Sequence, residues 1–461
     1  MDSVTSPLAI MDQMHGLVNA QIPRHWIGVE KSWSDSSTEP WPRLVALPPN
    51  DLKTHALILG STGSGKTNLL HHMIAQDVLL GNSFAVLDLR GDLVTAAINL
   101  CAGRVDPRLT RIIDLRKNGY KSGFDPLHGS GETYFRALGV LQAVEAESDS
   151  WGVQLSETLR NALLLLAEAD EPITRLDQLF FDRPFLLRCL ESCMAEAVLG
   201  FWQRYDALSA EKQATLAMPV LNKLSLLTST VSLRRVLARR DPVELRQHID
   251  TRGSVTLVSL AVDEVHGAGR MFGNIFLASL AREVFSRIDI PEQRRNQIQL
   301  YIDEFEHFGG EVIENILAEG RKYGLSLILA HQTLAQLDTR MRSLILNNVG
   351  TKIVFRTGRE DGSVLSRDLT GDPKAIDFNR LPVGECVLWR RQHDLVSVEV
   401  NRPLFVNSGE LLKHGKAYIR AIADYRHDIE VEMPVRDRVC PRPPKKTATR
   451  QSPEKPLEGW L

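Results

Sequence analysis

The sequence predicts an α/β protein in which a mostly parallel sheet is sandwiched by helices and interrupted by an all-helical insertion. Three observations predict it. From His55 onward, short runs of Leu and β-branched residues alternate with helical stretches: 56–59, 84–87, 111–115, 255–260, 299–302, 325–329, 352–355 and 385–389. Runs that are apolar at every position, rather than at alternate ones, are buried on both faces, the condition of a parallel sheet covered by helices. Between Gly129 and Asp250 no strand pattern occurs, and Leu155, Leu159, Ala162, Leu163 and Leu166 share one face at helical spacing. Finally, the run 57–59 leads into a glycine-rich turn and then a helix, the junction at which such sheets bind phosphate.

In chain order, residues 1–50 are rich in Ser, Pro and Trp without periodicity and read as an amino-terminal arm. Its Trp26, Trp33 and Trp41 are expected to pack on the protein's own surface. Residues 51–128 supply the first part of the sheet domain, 129–250 the all-helical insertion, and 251–433 the second part of the sheet domain. Residues 434–461, with Arg442, Lys445, Lys446, Arg450 and Lys455 among several prolines, read as a disordered basic tail. There is no internal repeat.

Composition narrows the function classes. The chain has 461 residues, 43% hydrophobic and 24% charged, as in ordinary globular proteins. A formal net charge of −2 means that nucleic acid, if bound, is gripped by a local patch and not by bulk charge. No apolar run nears the ~20 residues of a membrane helix; 162–167 and 325–330 are of core length. The start, Met1-Asp2-Ser3, lacks the basic and apolar regions of a secretory signal. Five scattered cysteines, an odd number, fit a reduced cytoplasmic compartment. Cys189 and Cys193, four apart and without further ligands nearby, read as packed thiols and not as a zinc site.

The turn Gly60-Ser61-Thr62-Gly63-Ser64-Gly65-Lys66-Thr67 fits GxxxxGK[ST] between a strand and a helix that opens with Asn68. Gly63 and Gly65 let the backbone curl so that successive N–H groups point inward at a β-phosphate, and the helix adds its positive end. Lys66 is placed to reach the β- and γ-oxygens of ATP, and the Thr67 hydroxyl to ligate Mg²⁺. Residues 60–68 are therefore the candidate nucleotide site. His71 and His72 are expected on the surface of the helix.

The run 298–302 ends in Asp303 and Glu304. Asp303, at the strand's carboxyl edge, is placed to hold Mg²⁺ through water. Glu304, pointing the other way along the pleat, is placed to polarise an attacking water as general base. Gln332 closes the strand that follows and can sense a γ-phosphate. Arg321 allows two readings: a surface charge at a helix carboxyl end, or an arginine offered to a neighbouring subunit's nucleotide, worth about 10³–10⁵ in rate.

Taken together, Lys53 to Thr67, Asp88-Leu-Arg-Gly-Asp92, Tyr301-Ile-Asp-Glu-Phe305, Glu319-Gly-Arg-Lys-Tyr-Gly324, Ala330-His-Gln332 and the segment 347–356 resemble the HerA/FtsK superfamily. Within it, they are most similar to the motor domain of TraG/TraD-type conjugative coupling proteins of type IV secretion. The likeness covers roughly 40–400. It implies a RecA-like P-loop NTPase fold with an all-helical domain, and a ring hexamer threading DNA through a central pore, with sequence-independent grip by pore loops. It also implies Glu304, Arg321 and Gln332 as catalytic, base, trans arginine and sensor respectively, with Arg356 a further residue facing a neighbour. A secretion channel, a relaxase or an effector enzyme is the implied partner. The amino-terminal membrane helices of coupling proteins and the barrel of HerA have no counterpart in this sequence, so direct membrane insertion is not expected. Two alternatives stay open: a motor that secretes protein, its helical insertion recognising polypeptide, and a ring that scaffolds a partner effector in defence or DNA processing.

Overall fold

The computed structural model describes residues 25–31, 44–129, 131–148, 150–308, 310–401, 403–405, 407, 409–426 and 429–430. Each of the eight apolar runs forms a strand. In chain order the strands are β1 (His25–Glu30), β2 (Leu44–Leu47), β3 (Ala56–Leu59), β4 (Ser83–Asp88), β5 (Thr110–Asp114), β6 (Arg239–Arg240) and β7 (Val255–Ser259). They continue with β8 (Ile298–Ile302), β9 (Leu325–His331), β10 (Thr351–Phe355), β11 (Glu385–Arg390), β12 (Val396–Val400) and β13 (Ile429–Glu430). One sheet has the order β2-β1-β12-β11-β10-β3-β9-β8-β4-β7-β5, and β13 pairs with β6 apart from it. From β10 to β5 every pairing is parallel; from β10 to β2 every pairing is antiparallel.

Continuous apolarity follows from cover on both sides. Leu57, Leu59, Ala85 and Leu87 face one apolar cluster, and Ile58 and Val86, between them in sequence, face the other. Each such side chain is worth about 1.5–3 kcal/mol of burial. Among helices of six residues or more, α1 (Lys66–Leu80) and α2 (Asp92–Cys101) cover the Ile58 face. The helical block follows β5: α3 (Thr133–Ala146), α4 (Val153–Glu168), α5 (Leu176–Phe181), α6 (Arg183–Ser192), α7 (Glu196–Asp206), α8 (Ala210–Ser229) and α9 (Val231–Leu237). Then come α10 (Leu245–Asp250), α11 (Gly267–Phe285), α12 (Glu311–Glu319), α13 (Thr339–Asn348) and α14 (Arg359–Thr370) on the Leu57 face, and α15 (Lys413–Tyr425) back on the other.

The block has no core of its own. Leu159, Leu163 and Trp202 belong to the same buried cluster as Leu300 and Leu327 of the sheet. The seam runs along α11, whose Phe272 and Phe276 each lie 5.6 Å, centroid to centroid, from Phe124 on the sheet side, and whose Asn274 Nδ2 donates to Glu147 Oε1 at the end of α3 at 2.9 Å.

Three expectations need correcting. The first 50 residues are not all an appendage, because β1 and β2 are edge strands of the main sheet. β2, Leu44-Val45-Ala46-Leu47, is apolar but only four residues long, and β1 is broken by His25, Gly28 and Glu30, so neither has the longer run that marks most central strands. Gly28 is required there: a Cβ would lie 2.0 Å from the Glu399 carbonyl oxygen on β12. Half-buried Trp26 is fixed to α1 by its backbone, which exchanges two hydrogen bonds with the Gln76 amide at 2.6 and 3.0 Å. Trp33, Trp41 and the segment 434–461 lie outside the described residues.

Secondly, the strand-free reading of 129–250 misses β6, two residues long. Thirdly, His71 and His72 are buried, not on a helix surface. The sheet covers one side of α1, while β1 and Phe405 cover another, the Phe405 ring lying 5.3 Å from that of His71. Burial lowers the His71 pKa to about 4.

Cys101, Cys189, Cys193 and Cys386 are buried free thiols, and Cys440 lies outside the described residues. Among the described residues no group of three or more His, Cys, Asp or Glu is placed to hold a metal ion. No single helix among them is long and apolar enough to cross a membrane.

Candidate nucleotide site

β3 delivers the chain to Gly60 at the carboxyl edge of the parallel strands, between β10 and β9. The Gly60 N–H donates to the His331 carbonyl on β9 at 3.2 Å, and the Ser61 N–H to the Arg356 carbonyl after β10 at 2.8 Å. The turn is thereby pinned to both neighbours. Gly63 and Gly65 have φ of 72° and 122°, left-handed values that other residues rarely adopt. A Cβ on Gly60 would lie 2.6 Å from that of Phe355, so the loop also needs glycine for space. From the other side, the Gly384 N–H donates to the Ser64 carbonyl at 2.9 Å.

Lys66 is buried, and its Nζ donates to the Gly60 carbonyl at 2.5 Å and that of Ser61 at 3.2 Å. Burial lowers its pKa, opposed by the charges of Asp303, Glu304 and Glu306. Ser64 Oγ is buried with no partner among the described residues, and Thr67 is exposed at the loop's mouth. A glycine-lined turn, an orphaned hydroxyl and a lysine held by its own loop's carbonyls fit a triphosphate, for which Lys66 would exchange them. Asn68 is committed elsewhere, its Nδ2 donating to the Asn401 carbonyl at 2.7 Å.

The acids stand two strands away, at the tip of β8. Burial pushes the Asp303 pKa up to about 7, with the charges of Asp88 and Glu304 adding and that of Lys66 opposing. Such a carboxyl is poised to accept a divalent cation, which restores it to the ionised form. Thr67 and Asp303 are the residues that would hold Mg²⁺.

Glu304 does not follow the pleat as the sequence suggested. β8 stops at Ile302, and Glu304 adopts a left-handed conformation, φ 54° and ψ 49°. That turn, not strand alternation, aims its carboxylate at Gln332, whose Nε2 donates to Glu304 Oε1 at 3.2 Å. Gln332 Oε1 in turn accepts from the Thr62 hydroxyl at 2.9 Å. Phosphate loop, strand-tip amide and acid therefore form one hydrogen-bonded chain.

Arg321 is not in this site. It is exposed just before β9, at the amino edge of the sheet, while Gln332 lies just past that strand's other end. Seven strand residues at ~3.3 Å each separate the two by about 20 Å. Its charge reaches buried His55 instead, whose pKa falls to about 4 mainly through burial and secondarily through Arg321. Arg356 sits at the opposite edge from Arg321, half-buried beside the phosphate loop.

Two participants were not assigned from sequence. Asp88, buried at the tip of β4, accepts the N–H groups of Arg90 and Val94 at 3.0 Å each and caps α2 while facing Asp303. Arg90 places its Nε 3.9 Å from Glu304 Oε2. The signal was present: Asp88 to Asp92 leaves a strand at the carboxyl edge, where the sheet gathers its ligands.

Residues 43–99 match the family described as type IV secretion-system coupling protein DNA-binding domain, and 297–369 match that described as TraM recognition site of TraD and TraG. No curated protein sequence matches the chain. Among solved structures, the bacterial conjugative coupling protein TrwBdeltaN70 is similar, with TM-score 0.58 and 16% identity over 80% of this chain and 89% of that one. The plasmid coupling protein TrwB, in complex with ADP and Mg²⁺, aligns with TM-score 0.56 and 15% identity over 84% and 97%. VirB4 of Thermoanaerobacter pseudethanolicus aligns with TM-score 0.53 and 13% identity over 82% and 96%. The two family segments carry the two halves of the site, the first holding the phosphate loop and the second the acids, Arg321 and Gln332. Fold and phosphate loop together give the chain a RecA-like P-loop NTPase architecture, and two of its segments are similar to those of TraG/TraD-type coupling proteins.

Proposed function

We propose that this chain hydrolyses Mg·ATP to translocate DNA as a ring-forming motor of the coupling-protein type. The observation that carries the proposal is the chain of contacts from Thr62 through Gln332 to Glu304, which joins the phosphate loop to the acid of the neighbouring strand tip. In this reading residues 60–67 cradle the phosphates, and Lys66 counters the charge of the γ-phosphate. Thr67 and Asp303 would hold Mg²⁺, which would supply charge neutralisation for the phosphates. Glu304 accepts the proton of the attacking water, and Gln332 holds that carboxylate in place and reports the γ-phosphate to the loop.

Arg321, some 20 Å from its own subunit's loop, acts on the nucleotide of a neighbour. Its exposure at the far edge of the sheet supports a trans role and leaves no cis one. A homo-hexamer with DNA in its centre satisfies this geometry, and the match of 43–99 to a family described as a coupling-protein DNA-binding domain supports the DNA part of the reading. The experiment is ATP turnover with and without DNA alongside the solution mass. Turnover that rises with DNA in an assembled ring is the expected result; a verified ring indifferent to saturating DNA removes the DNA reading.

A polypeptide-moving motor is the second reading. Phe135, Phe181 and Met194 of the helical block are 54%, 61% and 85% exposed, an apolar display suited to protein contact. Turnover stimulated by an unfolded polypeptide but not by DNA selects it.

A further inference from the structure

At the amino edge of the sheet, opposite the phosphate loop, lies a cavity of about 430 Å³ between the entrances to β3, β4, β8 and β9. That is within the ~300–1,000 Å³ of ligand clefts. Four cationic side chains line it, those of Lys53, Arg252, Arg294 and Arg295, against one carboxylate, Asp250. Asp250 is already taken by Arg246 at 2.5 Å and Arg287 at 2.7 Å. Buried Asp77, behind the wall, is likewise engaged by His25 at 2.7 Å and by Asn82 at 2.9 Å. Arg295 is fixed by the carbonyls of Arg287 and Ile290 and stacked 4.9 Å over the Tyr323 ring. By contrast, the side chains of Lys53, Arg252 and Arg294 make no hydrogen bond or ion pair among the described residues.

A chain with a net charge of −2 thus concentrates unpaired positive charge in one concave place. Half-buried Lys53 has lost part of its hydration without gaining a partner, which an arriving anion repairs. The rest of the lining is amide, hydroxyl, glycine and the His25 imidazole, which Asp77 engages, with Pro49 and Leu80 the apolar side chains and no Phe, Tyr or Trp on which a base could stack. Such a surface reads phosphate and ignores base identity.

We propose that this cavity binds consecutive phosphates of a nucleic-acid strand, gripped without regard to sequence. The proposal rests on the DNA-motor reading above and gives that reading a contact site. It also puts the grip on the same edge as Arg321, so strand and neighbouring nucleotide would be sensed by one face.

The test is fluorescence anisotropy of a labelled single-stranded oligonucleotide with the full chain across a salt series. The comparison sets Arg252→Glu/Arg294→Glu against Arg160→Glu/Lys212→Glu, the same charge change on exposed faces of the helical block, with thermal unfolding as fold control. Roughly tenfold or greater loss of affinity in the cavity variant alone, and a salt slope lower by about 1.4, is expected if two phosphate contacts are lost. Equal losses in both variants, or none in the cavity variant while the parent protein binds, overturn the cavity and leave the motor reading standing. Failure of the parent protein to bind any oligonucleotide, with tripolyphosphate quenching a fluorophore at the cavity rim, overturns both and assigns the site to a small polyanion.

Discussion

Gln332 stands between Thr62 and Glu304, accepting from the hydroxyl at 2.9 Å and donating to the carboxylate at 3.2 Å. Each end of the amide fits only one partner, a donor on the loop side and an acceptor on the acid side. Gln332→Glu turns the donor into a second carboxylate facing Glu304. Turnover is expected to fall about 10²-fold or more with nucleotide affinity nearly unchanged, as measured by single-turnover hydrolysis and fluorescent-nucleotide titration.

Glu304→Gln is expected to bind ATP and stall, since an amide cannot take the water's proton. The loss should be about 10²–10⁴-fold in rate. Normal turnover in this variant would mean that another group is the base.

The left-handed turn at Glu304 is strained for a residue with a Cβ, costing roughly 1–2 kcal/mol. Glu304→Gly should relax the strain while also freeing the unfolded chain, which takes back part of the gain. Its nucleotide-free stability is expected to equal or exceed that of the parent protein in urea unfolding, although its activity is gone. A loss of more than about 1 kcal/mol would mean that the contacts of this carboxylate with Gln332 and Arg90 outweigh the strain of its turn.

Asp303 makes stability depend on pH. Its folded pKa of about 7 lies above the unfolded value of ~3.9. Between the two the folded protein holds a proton that the unfolded chain has released, so stability falls as pH rises through that window. Asp303→Asn should match the metal-free parent near pH 3 and gain on it by about 1.4 kcal/mol per pH unit between about pH 4 and 7. Thermal unfolding in chelator measures the gap. A gap that is constant across pH would show that the carboxyl titrates normally.

Lys66→Ala should abolish nucleotide binding, and Arg321→Ala should spare it. In the ring, Arg321→Ala costs about 10³-fold or more in rate. Mixing Arg321→Ala with Lys66→Ala subunits separates cis from trans: each supplies what the other lacks at alternate interfaces, so turnover partly returns. No recovery in mixed rings would confine Arg321 to a structural role.

How much could be read in advance varied with the kind of pattern involved. The central strands were legible because burial on both faces makes 56–59 or 325–329 apolar throughout, a signal that needs no knowledge of neighbours. The phosphate loop was legible because glycine is demanded by local conformation at Gly63 and Gly65. The edge strands β1 and β2 were hidden, since β2 is only four residues long and β1 is interrupted by His25, Gly28 and Glu30. The burial of His71 and His72 was hidden because it depends on Phe405, more than three hundred residues away in sequence. The Glu304 turn was hidden too: strand alternation gives one direction for a side chain, but only the end of pairing at Ile302 decides whether alternation still applies.

The apolar seam along α11, where Phe124 meets Phe272 and Phe276, limits how a power stroke can be delivered. A lid hinged on a separate core swings freely, but here opening would wet one cluster shared by both halves, Leu159 and Trp202 of the block with Leu300 and Leu327 of the sheet. In the motor reading, torque generated at the nucleotide would leave the subunit as a tilt of the whole body, with the helical block acting as a lever arm of fixed angle.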